Sequence, residues 1–292
     1  MAASNAFNIF AVQKAATVVG GVTASSLPIN SNIGADITSA EIYPRIIFIR
    51  GQAPTLTFTT KSLATALTQF PILGTDFSAS AFSMWGQKKA DGGARSASAD
   101  HEKWTINGGI LVPTTLSVTG QEDAELSYEG TITFKTPTAA IVRTNATLPT
   151  GVTDADRYAL GPLTVAGTAL TGMDSYNLDF GITVQSEVTD GDITPTFAAI
   201  SMVKPIHTWT GIDATWFNDI TLGGTDSTTT VTTQVLRHRL KGGSFGGADL
   251  TVTTRGLATI ENVFDGRGND TGKVNLKLES FFDGTNVPVV IA

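Results

Sequence analysis

Residues 36–59, DITSAEIYPRIIFIRGQAPTLTFT, lie over residues 187–210, EVTDGDITPTFAAISMVKPIHTWT, without a gap when the chain is slid against itself by 151 positions. Thr38, Ile42, Pro44, Ile49, Pro54, Thr57 and Thr59 meet identical residues at Thr189, Ile193, Pro195, Ile200, Pro205, Thr208 and Thr210. Asp36/Glu187, Ile37/Val188, Glu41/Asp192 and Phe58/Trp209 agree in kind. A period of this kind defines the folding unit before any local reading does. The chain is therefore expected to hold two diverged copies of one unit. Each copy is mainly β with one short helix, and the two form tandem β-sandwich or barrel-like domains over residues 1–147 and 148–292.

Working outward, Leu27 lies over Leu178 and Ile33 over Val184, which predicts an alternating strand at 27–37 and again at 178–188. A second strand follows at 42–49 and 193–200, then a third at 55–59 and 206–210. Pro54 and Pro205 lack a ladder donor, which suits a strand start or an edge. Ser62 and Asp213 are good N-cap residues. They precede LATALTQF and ATWFNDI, the predicted helix of each copy. A hairpin is expected next, Phe82–Trp85 and Lys103–Ile106 around the loop GQKKADGGARSASAD, with a looser counterpart from LGGTDSTTT into 231–240. Strands at 116–118 and 126–134 close the first copy, and strands at 250–254 and 274–278 close the second. TNATLPTGVTD, residues 144–154, reads as the linker.

The composition agrees with an all-β chain. Hydrophobic residues make up 41% and charged residues 15%, and Thr alternates repeatedly with Val, Ile, Leu or Phe. No run approaches the ~20 apolar residues of a membrane-crossing helix. The opening residues lack a basic stretch before an apolar core, so no secretory leader is expected. There is no cysteine, hence neither disulfide nor thiolate chemistry. Residues 1–150 carry ten basic and ten acidic side chains, so the formal charge of −7 belongs to residues 151–292, with nine basic and sixteen acidic. No basic stripe stands out, which argues against tight binding to nucleic-acid phosphates.

Candidate chemistry is sparse. His101, His207 and His238 are far apart in sequence. Asp100-His101-Glu102 is expected to be a solvated cluster at a loop edge, and His207 a strand-surface histidine. Arg237-His238-Arg239 is the densest basic spot, suited to a phosphate contact or a salt bridge to a partner subunit. LKGGSFGGAD (240–249) lacks the strand–turn–helix setting of a phosphate loop. DGRGNDTGK (265–273) offers Asp265, Asn269 and Asp270 as oxygen donors for calcium, although a plain hairpin turn is the expected reading. Neither a nucleophile elbow nor a His-Glu-x-x-His helix occurs. An enzyme, a cofactor and a metal are not expected.

The unit strand–strand–Pro turn–strand–short helix–long hairpin–strands occurs in IYPRIIFIRGQAPTLTFTTKSLATAL (42–67) and again in ITPTFAAISMVKPIHTWTGIDATWF (193–217). In this architecture the chain resembles the tail tube proteins of long-tailed bacteriophages, over most of both halves. The resemblance implies a β-sandwich with a flanking helix and a long loop that contacts the next ring. It implies sheets joined between subunits around a lumen, with duplicated members forming trimeric rings that mimic hexamers. On that basis Lys88, Lys89, Asp91, Arg95, Asp100 and Glu102 are expected in polar contacts between stacked rings, and lumen-facing acids would repel the passing genome. The implied partners are the chain itself, tape-measure, tail-tip and tail-terminator proteins, and viral DNA that passes without tight binding; no membrane is implied. The implied location is the virion tail, and the host cytoplasm during assembly. A capsid decoration or other virion surface protein is the alternative. The third reading is a cell-surface carbohydrate-binding or adhesin module, for which Trp85, Trp104, Trp209 and Trp216 would have to form exposed platforms.

Overall fold

The computed structural model describes residues 7–36, 43–77, 80–88, 100–134, 140–147, 152, 157–189, 191–213, 215–216, 231–240, 243–265 and 272–292. In the first half these form β1 (Phe7–Lys14), β2 (Thr17–Val19), β3 (Val22–Ser26), β4 (Ser31–Asp36), β5 (Ile46–Gln52) and β6 (Thr55–Thr60). Helix α1 (Leu63–Gln69), β7 (Thr75–Asp76), β8 (Phe82–Lys88), β9 (Asp100–Ile106), β10 (Gly109–Thr119), β11 (Glu125–Ile132) and β12 (Ile141–Thr147) follow. The second half contributes β13 (Arg157–Val165), β14 (Thr168–Leu170), β15 (Met173–Asp179), β16 (Ile182–Glu187), β17 (Phe197–Val203), β18 (Ile206–Gly211), β19 (Val231–Arg239), β20 (Leu250–Asp265), β21 (Lys273–Ser280) and β22 (Val289–Ile291). The all-β class is as expected. Among the described residues no helix is long and apolar enough to cross a membrane.

Element bounds recur at the sequence offset. Adding 151 to β2, β4, β5 and β6 gives the bounds of β14, β16, β17 and β18. The left-handed backbone positions recur too: Ala15 with Ala166 (φ 51° and 50°), Gly21 with Gly172 (66° and 71°) and Asn30 with Gly181 (51° and 55°). Farther along the register is 147, then 148. The bulge between Pro113 and Thr115 on β10 matches that between Ile260 and Asn262 on β20, and Tyr128 faces Phe58 as Leu276 faces Trp209.

Each half has two layers. One is β12-β9-β8-β1-β2, matched by β22-β20-β19-β13-β14; the other is β3-β6-β11-β10, matched by β15-β18-β21-β20. β20 serves both layers of its half. Its start pairs with β19 and β22, and from Gly256 onward it pairs with β21. In the first half β9 and β10 do this separately. Both bends need glycine, because a Cβ on Gly109 would sit 2.3 Å from the Thr131 carbonyl and one on Gly256 2.2 Å from that of Glu279. Those distances are far inside van der Waals contact.

Inward-facing side chains fill the space between layers. Phe58 stacks on Tyr128 at 4.9 Å between ring centres, and Phe70 and Phe82 close around them. Helix α1 adds Leu63 and Ala66. In the second half Tyr176, His207 and Trp209 form a buried stack. One contiguous buried cluster runs through both halves.

Several expectations are corrected. Neither predicted strand at 27–37 or 178–188 is continuous: the first holds only β4 and the second the end of β15 and then β16, because Asn30 and Gly181 take left-handed φ and turn the chain. Residues 144–147 of the predicted linker lie in β12, bonded to β9; most of the rest of it falls outside the described residues. Ser62 occupies the N-cap of α1, but its side chain makes no cap bond. Asp213 accepts the Thr215 N–H at 3.0 Å and the Thr171 hydroxyl at 2.6 Å. Most of the helix predicted after it lies outside the described residues.

Candidate assembly interface

The two halves share one sheet. β10 pairs antiparallel with β15, in the register Thr115–Asp179, Leu116–Leu178, Ser117–Asn177, Val118–Tyr176 and Thr119–Ser175. The Phe180 N–H donates to the Thr114 carbonyl at 2.9 Å, and the Gly120 N–H to the Asp174 carbonyl at 2.7 Å. Leu116, Val118, Tyr176, Leu178 and Phe180 are buried, while the alternate residues face outward. Strand order therefore runs β3-β6-β11-β10-β15-β18-β21-β20 without a break.

Charge ties cross this joint. Asp123, in the β10–β11 turn, lies 3.3 Å from Arg239 and 3.8 Å from Arg157, both of the second half, and 3.7 Å from Lys61 of its own. Arg239 also donates to the Gln121 carbonyl at 2.7 Å. All four groups are partly screened by solvent, so the ties fix register more than they stabilise.

A second contact crosses the joint. β16 and β17 form a two-stranded arm that lies over the first half. At its tip the Ile193 carbonyl accepts the Gln52 N–H at 2.6 Å, and the Pro195 carbonyl accepts the Phe134 N–H at 3.0 Å. Midway, Ile200 Cδ1 would be 2.9 Å from a Cβ on Gly74, with Val112 beside it. The absent side chain at Gly74 admits Ile200.

The outward face of the shared sheet is polar. Thr55, Thr57 and Thr59 on β6, Ser127 and Glu129 on β11, Thr208 and Thr210 on β18, and Asn275, Lys277 and Glu279 on β21 alternate with core residues. Hydroxyls bridge strands, Ser26 to Thr57 and Thr59 to Ser127 at 2.9 Å each. Lys277 lies between Glu279 (3.2 Å) and Glu261 (3.4 Å), whose hydrogen bonds raise its pKa. Glu279 is lowered by its bonds to Lys204 and Lys277.

The residues singled out in sequence are dispersed. Lys88 ends β8 and Asp100 begins β9; Lys89, Asp91 and Arg95 lie outside the described residues. Glu102 is on β9 with 1% of its side chain exposed, held by Arg143 through two bonds of 2.8 and 2.9 Å. Arg143, with 54% of its side chain exposed, covers that carboxylate from solvent. His101 is buried edge-on to Phe10, not solvated. His207 is fully buried, not on a strand surface: its Nδ1 is 3.0 Å from the Tyr176 hydroxyl, and burial lowers its pKa to about 3. Arg237 stacks over Phe245 at 4.2 Å. His238 Nδ1 meets the Gly246 carbonyl at 2.8 Å, so 243–249 folds back on β19. Trp85, Trp209 and Trp216 are buried, and Trp104 is half-buried against Phe7, so none is an exposed platform. Asn269 and Asp270 lie outside the described residues. Among the described residues no three His, Cys, Asp or Glu side chains gather as a metal site. No family model and no curated protein matches this chain.

Proposed function

We propose that the chain is a duplicated, self-assembling tube subunit. Copies would pair head to tail through sheet edges, and trimeric rings would stack into a conduit of the phage tail-tube kind. The observation that carries the reading is the β10–β15 joint together with its two vacant counterparts. β3 matches β15, and the part of β20 after Gly256 matches β10. Each of these edges pairs on one side only among the described residues. By the internal register, β3 of one copy meets the end of β20 of the next.

Two further features support it. A ring of three copies joins three sets of eight strands. At ~4.8 Å spacing and a tilt of 35–45°, 24 strands close with a backbone diameter of about 45–50 Å, room for side chains and a nucleic-acid duplex. The face that would line it is hydroxyl-rich, and its lysines are neutralised by neighbouring glutamates, which suits passage without capture.

Electron microscopy of the purified protein across a concentration series tests the reading. Rings or tubes with a central hole are expected. A chain that stays monomeric at tens of milligrams per millilitre refutes it.

A further inference from the structure

We infer that the arm formed by β4 and β5 lies across the second half of a neighbouring copy, as β16 and β17 lie across the first half of their own chain. The inference rests on the self-assembly proposed above and names the surface that accompanies the edge pairing.

The arms are equivalent, yet their surroundings differ. Arm β16–β17 has a domain beneath it: Thr194 at its tip is 3% exposed, Pro195 is buried, and Val184 and Ile200 are half-buried. The matching residues of arm β4–β5 are Tyr43, 75% exposed, and Pro44, Ile33 and Ile49, all exposed, with Ile47 and Phe48 beside them. Six large apolar residues of this short hairpin are exposed, Ile46 included, and Ile33, Ile47 and Ile49 share the face that matches Val184 and Ile200, which makes it a docking face. Next to the arms the contrast repeats, for Phe180 is 0% exposed against the Thr114 carbonyl, while its counterpart Ile29 is 42% exposed.

The receiving surface is present and uncovered on the second half. Residues touched by arm β16–β17 are Gln52, Val112 and Phe134; their counterparts are Val203, Thr259 and Phe282. Val112 is buried and Phe134 half-buried, whereas Thr259 is exposed and Phe282 is 60% exposed. Bare arm and bare surface belong to opposite halves and cannot both be satisfied through the joint already made inside the chain. A second copy, placed head to tail, covers both. The Pro44 carbonyl then accepts the Phe282 N–H of the neighbour, as Pro195 does from Phe134.

The chain contains no cysteine, so paired cysteines report this contact without background. An amide-to-carbonyl bond of 3.0 Å leaves the flanking Cα atoms within disulfide range. Oxidation of Phe134→Cys/Pro195→Cys should close a disulfide inside one chain and serves as control. Oxidation of Pro44→Cys/Phe282→Cys in assembled material should give linked dimers and trimers. Rings that form normally, with a closed control but no linkage between copies, overturn the arm contact and leave the tube reading standing. A 44–282 disulfide within one chain also overturns it. Absence of any assembly overturns both. Independently, Phe282→Asp should raise the concentration needed for assembly at least tenfold with an unchanged melting temperature; an unchanged assembly concentration refutes the contact.

Discussion

Ser25→Pro separates the fold from the assembly. The Thr55 N–H donates to the Pro28 carbonyl, so Pro28, Ser26 and Ala24 direct their backbone groups toward β6. Ser25 and Leu27 direct theirs to the open edge. A proline at 25 removes an N–H that no strand of the chain uses, which an edge tolerates. Monomer stability should change by less than about 0.5 kcal/mol. In the proposed joint between copies, Ser25 takes the place of Tyr176, which lies in the fourth of five pairs in the internal joint. Loss of its donor leaves a carbonyl of the neighbour unpaired, and the ring crowds the approaching strand. The bond alone is worth about 1.5 kcal/mol, roughly tenfold per joint. Three joints in a closed trimer compound to about a thousandfold. Urea melts of dilute protein read the first quantity; sedimentation velocity across concentrations reads the second. Ser26→Pro is the contrast, since its N–H faces β6 and its loss should cost the monomer about 2 kcal/mol. If Ser25→Pro assembled at the wild-type concentration, or destabilised the monomer as Ser26→Pro does, the edge assignment would be wrong.

Arg143→Ala should destabilise the fold by about 2–3 kcal/mol, because it strips a bidentate partner from the buried Glu102 carboxylate. Equilibrium unfolding checks it, with a change below 0.5 kcal/mol contradicting the pairing. His207 should make folding acid-sensitive. Its folded pKa is about 3, against about 6.5 when unfolded, so the unfolded chain takes the proton first. Its contribution is full above pH 6.5 and declines as pH falls toward 3, by about 1.4 kcal/mol per unit. Between pH 7 and 5, His207→Phe should lose about 2 kcal/mol less than wild type in urea midpoint comparisons. Equal losses would place the acid sensitivity elsewhere.

The recurring strand bounds were legible because the offset is carried by residues that constrain backbone, such as Pro44/Pro195 and Pro54/Pro205. The matching β6 and β18 were found to within a residue for the same reason. The break at Asn30 was hidden, since apolar alternation runs on through it and a left-handed φ leaves no mark on periodicity. Burial of His207 had a signal that went unused: it aligns with Leu56 and shares the inward side of β18 with Trp209. Burial of His101 and Glu102 had none, because β9 extends to Asp100 only through pairing with β12 some forty residues away. The β10–β15 joint was equally invisible. An alignment of two copies says which strands are equivalent, and nothing about which edges meet.

The internal joint and the joint proposed between copies differ chemically, and covalent fusion accounts for the difference. The internal joint forms at the effective concentration set by the linker, of order millimolar or more, so it needs little affinity of its own. Yet it is the one that carries Arg157 and Arg239 around Asp123. At the sequence positions matching those arginines the first half has Ala6 and Lys89, one cation in place of two. On the proposed assembly, charge is placed where register is set once, during folding of the chain, and is thinned at the joint between copies. An interface of backbone pairing and apolar cover, with Ile29, Tyr43 and Phe282 supplying that cover, is barely screened by salt. Assembly through the outer joints should therefore persist at ionic strengths that weaken the internal arginine ties. That order of sensitivity would be reversed if exposed charges held the rings together.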